Sequence, residues 1–278
     1  MHAHTYRTSA AAVLIAIAFL LSAVPALPAP GDSLGGDDTG CAPSTKLGLS
    51  CGKKVLGLVT KLEKSLIKCH LTQAGHAFQN GTATPGFSNA EDNCSVGPSN
   101  TSAKAKFDAK IALLAAKGCD ATVIANANAA RDVILGDQTV VGSMDSLNGT
   151  FFCDATSGNP IDPGGDDAGF IPANADNYKC SVTVAKGWYK LIKYLYTCHA
   201  KLAGAVYKGG VFDEEACEDT GGNSGLDKYN ALVNKLIAAG ICPSCLTDPG
   251  TTNALGLGTS TVADADANLQ NVYICPGP

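Results

Sequence analysis

With 25 acidic against 20 basic side chains in 278 residues, and a formal charge of -5, the chain lacks the basic surface that nucleic acid or an anionic membrane selects. Its twelve cysteines are an even number, which favours disulfides in an oxidising compartment over thiolate metal sites.

Residues 1–26 read as a secretory signal peptide. Arg7 sits in a short polar start, an apolar run covers 10–24, and the small residues Ala23, Ala26 and Ala29 suit a peptidase. Cleavage is expected after Ala26. The apolar run is about 15 residues, short of the roughly 20 that span a bilayer, and no second such run follows. The expectation is a secreted or periplasmic protein with no membrane span in the mature chain.

Two stretches organise the remainder: residues 51–70 (CGKKVLGLVTKLEKSLIKCH) and, 129 positions later, residues 180–199 (CSVTVAKGWYKLIKYLYTCH). Both run Cys-x17-Cys-His. Eighteen residues make five whole helical turns, so the two cysteines of each lie on one face, about 27 Å apart. Val55, Leu58, Val59, Leu62 and Leu66 share that stripe in the first, and Val184, Trp188, Leu191 and Leu195 in the second. Gly35-Gly36-Asp37-Asp38 recurs as Gly164-Gly165-Asp166-Asp167 at the same offset. Cys94 then matches Cys217, Cys119 matches Cys242 and Cys153 matches Cys275. The pattern predicts an all-α fold of two tandem repeats. Each repeat is an antiparallel helical hairpin stapled by disulfides, plus a short third helical segment. The first domain covers 27–153, a linker rich in turn formers 154–163, and the second domain 164–278.

The second helix of each hairpin is marked by Phe107, Ile111 and Leu114, and by Leu226, Tyr229, Val233 and Leu236, and ends at Gly118 and Gly240. No stretch alternates long enough for a sheet. An antiparallel hairpin sets the start of its first helix beside the end of its second. That pairs Cys51 with Cys119 and Cys180 with Cys242, and, across the connection, Cys69 with Cys94 and Cys198 with Cys217. Cys41 and Cys245 break the repeat. Each is expected to hold the last segment of its own half, Cys41 with Cys153 and Cys245 with Cys275.

The Cys-His steps at 69/70 and 198/199 carry the most suggestive chemistry. Covalent haem uses Cys-x-x-Cys-His, but residues 66 and 195 are Leu where the first cysteine belongs. The plainer reading is a half-cystine followed by a histidine, so no metal or other cofactor is expected, with His70 and His199 the candidates if one binds. Zinc held by Cys69, His70, Cys94 and His76 is a weaker alternative, since His76 aligns with Ala205. The Gly-Gly-Asp-Asp runs, with Asp32 and Asp162 before them, offer carboxylates to calcium, though solvated loops share this composition. Gly31-Asp32-Ser33-Leu34 spells an esterase signature without the Asp-x-x-His it needs near the C-terminus, no His following residue 199, and Cys242-Pro-Ser-Cys245 reads as two structural half-cystines. Tyr189 and Tyr196, seven apart on one helix face, form the candidate binding surface for an extracellular ligand or protein partner. No matched set of nucleophile, base and oxyanion donors is present, so an enzyme is not expected.

The doubled pattern of a Cys, a Lys-rich helix ending in Lys/Thr-Cys-His, a further Cys and Lys-x-Phe/Tyr-x-x-Ala resembles cysteine-rich secreted repeat proteins of environmental bacteria, myxobacteria among them. The resemblance implies export and a helical repeat, and no catalytic residues.

Overall fold

The computed structural model describes residues 31–83, 85–249 and 253–275; the expected signal peptide lies outside them. Two long helices form the centre, α1 (Lys46–Asn80) and α6 (Ala175–Val206). The Thr45 side chain caps α1 by accepting from the Gly48 N–H, and Asn174 does the same for α6 at Asn177. Both run past the organising stretches, which end at His70 and His199. Nothing in 71–80 breaks a helix before Gly81, which takes the left-handed conformation at φ 67°.

The two helices pack antiparallel. A Cβ on Gly75 would lie 2.8 Å from the Tyr178 hydroxyl, and one on Gly204 would lie 2.6 Å from Lys53 Nζ, so the end of each long helix runs close under the start of the other. Phe78 stacks on Tyr178 with ring centroids 4.7 Å apart.

Around this pair lie α2 (Pro85–Ser95), α3 (Ala103–Ala116), α4 (Ala121–Ile134) and α5 (Met144–Phe151). After α6 follow α7 (Glu214–Glu218), α8 (Gly225–Ala238), α9 (Ser244–Thr247) and α10 (Ala254–Asn268). The glycines expected to end the second hairpin helices do follow α3 and α8, at φ 80° and 64°. One core serves both halves: Val55, Leu66, Phe107 and Phe151 are buried in the same cluster as Val184, Leu195, Tyr229 and Leu257. Each side chain of this kind contributes roughly 1.5–3 kcal/mol by leaving water. Among the described residues no helix is long and apolar enough to cross a membrane.

A short hairpin of β1 (Ser33–Gly35) and β2 (Asp38–Cys41) precedes α1. Three- and four-residue strands are too short for an alternating pattern to reveal. Gly35 pairs with Asp38 across the turn residues Gly36 and Asp37, and both glycines take a positive φ. The hairpin packs on the far end of the chain: Cys41 N–H donates to the Tyr273 carbonyl at 2.9 Å, and Thr39 Oγ1 to the Asp266 carbonyl at 2.7 Å. The segment before α6 does likewise with the end of the first half, where Phe170 N–H donates to the Phe152 carbonyl at 2.7 Å. Within 154–163, expected as a linker, Ile161 and Asp162 are buried.

All twelve cysteines are paired. The hairpin reasoning gives the same partners as the structure for Cys51–Cys119, Cys69–Cys94, Cys180–Cys242 and Cys198–Cys217. The other two bridges require correction. The structure joins Cys41 to Cys275 and Cys153 to Cys245, not Cys41 to Cys153 and Cys245 to Cys275. The cause is the exchange of lead-in segments, since β2 lies against the end of the second half and carries Cys41 to Cys275. Cys41 and Cys275 lie 234 positions apart, the longest separation of the six bridges. Replacing both by Ala is expected to cost about 5 kcal/mol on the loop-entropy account, read as a large fall in the denaturant midpoint. An unchanged midpoint would mean that the hairpin holds without it.

Candidate metal centres

The Cys69–Cys94 bridge ties α1 to α2. It thereby sets His70, the next residue on α1, beside Glu91, one turn before Cys94 on α2. Cys198–Cys217 ties α6 to α7 in the same way and sets His199 beside Glu214 and Glu218. The remaining ligand candidates come from two further places. Asp167 and Asp38, the second acids of the Gly-Gly-Asp-Asp runs, arrive on the exchanged lead-in segments, and Asp145 and Asp266 come from α5 and α10. Each centre is thus assembled from four separate parts of the chain.

Centre B, around His199, is the more closed. Nε2 has Glu218 Oε1 at 2.8 Å, Asp266 Oδ1 at 3.1 Å, Asp38 Oδ1 at 3.2 Å and Glu214 Oε1 at 3.5 Å. The five side chains are between 0% and 7% exposed. A ring nitrogen carries at most one proton, and that proton has one direction. Only Asp266 stands in hydrogen-bonding geometry to Nε2; the oxygens of Asp38, Glu214 and Glu218 that face it make no hydrogen bond. Four ionised carboxylates with an imidazolium leave three uncompensated negative charges out of water, a cost of several kcal/mol for each. Without a cation the centre must collect protons. Burial opposes the charging of His199, but Asp266, Asp38 and Glu218 outweigh it and hold the imidazole up at about 12. Burial, then Glu218, pushes Glu214 up to about 11.

A cation satisfies the same atoms. Cis ligands about 2.1 Å from an octahedral ion lie about 3 Å from one another, and the contacts of 2.8–3.5 Å around Nε2 match that edge. Within mutual ligand distance the oxygens divide into two sets that share His199, Asp38 with Glu214 and Glu218 with Asp266, so one ion takes the imidazole and two of the carboxylates. With every cysteine oxidised, no thiolate contributes.

Centre A, around His70, has the same parts in a looser arrangement. Asp167 Oδ1 lies 2.8 Å from Nδ1 and Glu91 Oε1 3.9 Å from it, while Asp145 Oδ1 lies 3.4 Å from Nε2. Both ring nitrogens and both Asp167 oxygens are buried and lack a hydrogen bond of proper direction. Burial works against the imidazolium here too, yet Asp167, Glu91 and Asp145 together raise it to about 9. Burial lifts Asp145 to about 8 and Glu91 to about 7.

Toward solvent each centre shares one carboxylate with a second acidic group, Asp37, Glu214 and Glu215 at centre B and Asp162, Asp166 and Asp167 at centre A.

The structure places the other candidates elsewhere. Cys69 and Cys94 are joined to each other, which removes the thiolates of the zinc set, and the sulfurs next to both histidines are closed to haem attachment. Tyr189 and Tyr196 are half-buried against the core, and Lys64 Nζ sits 5.7 Å from the Tyr189 ring. Asn148, in the glycosylation sequon Asn148-Gly149-Thr150, is buried and donates to the Ala168 carbonyl, so the folded chain withholds it from glycosylation. The acids of the two centres had a signal in the sequence. Glu91-x-x-Cys94 and Glu214-x-x-Cys217 recur at the same offset, each one helical turn from a half-cystine whose partner precedes a histidine. Asp145 and Asp266 recur 121 apart in segments of weak helical pattern. Compared with known proteins, the chain matches no family, no curated protein and no solved structure.

Proposed function

We propose that this protein is an extracytoplasmic binding protein that holds a divalent first-row metal ion in each of two buried histidine–carboxylate centres. The disulfide-stapled helices are the scaffold that forms the ligand sets. The observation that carries this reading is the crowding of four carboxylate oxygens within 3.5 Å of His199 Nε2. An ion of the Mn2+ or Fe2+ type, which takes mixed nitrogen and oxygen ligands, suits a histidine–carboxylate set without thiolates. Six disulfides with no free thiol support an oxidising environment. The depth of the ligands supports retention of the ion over catalysis at it, because a catalytic ion keeps an open position for substrate.

Metal analysis of the full chain after exposure to Mn2+, Fe2+, Zn2+ and Ca2+ in turn, followed by desalting, tests the reading. Two equivalents of Mn2+ or Fe2+ per chain are expected, falling to one in His199→Ala; four would mean that the outer acidic groups fill as well. No retained metal would end the proposal.

A second reading applies to centre A alone. Its carboxylates divide between the two ring nitrogens, an arrangement that also fits an imidazolium pinned between acids. One equivalent in the wild type, unchanged by His70→Gln, would decide for it.

A further inference from the structure

Between α1, α4, α6 and α10 lies a cavity of about 450 Å³, within the size range of small-molecule sites. Val55, Val59, Leu195 and Leu257 give it apolar walls, and the rings of Trp188 and Tyr196 join them. Among the described residues lining it there is no Lys or Arg, and the ionisable ones are Glu63, Asp264, Tyr196 and His199. Glu63 is the anomaly. It occupies a core-facing position of α1, only 6% exposed, and its Oε2 is buried with no hydrogen bond. The residue 129 positions later, Ile192, is the apolar one that such a position ordinarily takes.

An unpaired acid in an apolar cavity is costly unless something fills the cavity and pairs with it. We propose that the cavity binds a lipophilic ammonium ion, its hydrocarbon body against Val55, Val59, Leu195 and Leu257 and its charged nitrogen on the Glu63 carboxylate. Charge complementarity selects this class. Among the described residues lining the cavity, the side chains that can carry charge near neutral pH, other than His199, are the acids Glu63 and Asp264. Trp188 and Tyr196 add aromatic faces, which attract cations. The Trp188 N–H is already engaged by Thr261 Oγ1 at 2.8 Å, which leaves its face to the ligand. Burial alone raises Glu63 to about 8, so at neutral pH the acid is protonated when the ligand arrives. The ammonium keeps its own protons, Glu63 releases one to solvent, and the bound pair is ammonium and carboxylate. Tyr189 and Tyr196 adjoin Glu63 closely enough to feel its charge, but titrate far above this range.

Calorimetric titration of the full chain at pH 7 with n-octylammonium chloride, n-octanoate and 1-octanol, in two buffers of different ionisation enthalpy, tests the proposal. Octylammonium is expected to bind with release of close to one proton, and octanoate and octanol at least about tenfold more weakly. Glu63→Gln should weaken octylammonium by about tenfold or more with an unchanged circular dichroism spectrum. Val59→Trp, which fills the cavity and keeps Glu63, should abolish binding of all three. Tighter binding of octanoate or octanol, no binding by any probe, or a Glu63→Gln protein that binds octylammonium as the wild type does would overturn it. Because neither variant touches a ligand of either centre, metal content serves as an independent control.

Discussion

Chelation of the metal-loaded protein is expected to lower its melting temperature by about 10 °C for each centre emptied. An ion present at about a thousand times its dissociation constant stabilises the native state by about 4 kcal/mol, and in a chain of this size each kcal/mol moves the midpoint by about 2–4 °C. The effect has a structural source in centre B. With the ion gone, Asp38, Glu214, Glu218 and Asp266 face one imidazole in a site whose side chains are at most 7% exposed, and the helices that supply them must separate or take up protons. Glu218→Gln should reduce the difference between loaded and chelated protein, since it removes the charge of the carboxylate nearest to Nε2. The difference should widen as pH rises from 5 to 8, because the ion competes with protons for its ligands. Differential scanning calorimetry with and without chelator, at two pH values, reads all three. Superimposed traces at pH 8 would show that the carboxylates are held together by protons alone.

Short-range regularity made much of this architecture legible. Cys-x17-Cys-His with an apolar stripe specified α1 and α6, and hairpin geometry then specified four disulfides, because each of those joins neighbours in a local helical unit. Cys41–Cys275 and Cys153–Cys245 depend on how the halves sit on one another, and no local pattern encodes that. The centres divide in the same way. His70 and His199 stand out through their cysteines, and a half-cystine with a histidine explained them without any ligand. What converts them into centres is the arrival of Asp167 and Asp38 on exchanged segments. In the sequence those acids sit in glycine-rich runs that have the composition of solvated turns. Glu63 was hidden for another reason. In a helix bearing Lys53, Lys54, Lys61, Lys64 and Lys68, one more charged residue reads as part of the wet face. Only the packing of α6 and α10 shows that it points inward.

Glu63→Leu is expected to stabilise the protein by about 3 kcal/mol at pH 7 through the ionisation of this one group. Its acid titrates at about 8 in the folded chain against an ordinary 4.5. Below pH 4.5 folded and unfolded chains both hold the proton, and ionisation contributes nothing. Between 4.5 and 8 the unfolded chain loses the proton while the folded chain keeps it, so stability falls by about 1.4 kcal/mol per pH unit. Above 8 both are ionised and the deficit is constant. The difference between Glu63→Leu and wild type should therefore grow from pH 4.5 to pH 8 and then level off, whatever the other titrating groups contribute to each curve separately. Urea unfolding of both proteins at half-unit pH steps measures it; parallel curves would place Glu63 in contact with water. Glu63→Gln should also lose the pH dependence, with a smaller gain, because the amide is left without a partner in the same apolar wall. The comparison bears on function. If octylammonium restores to wild type at pH 7 the stability that Leu provides outright, and does nothing for Glu63→Leu, the energetic cost of this acid belongs to the binding of a cation.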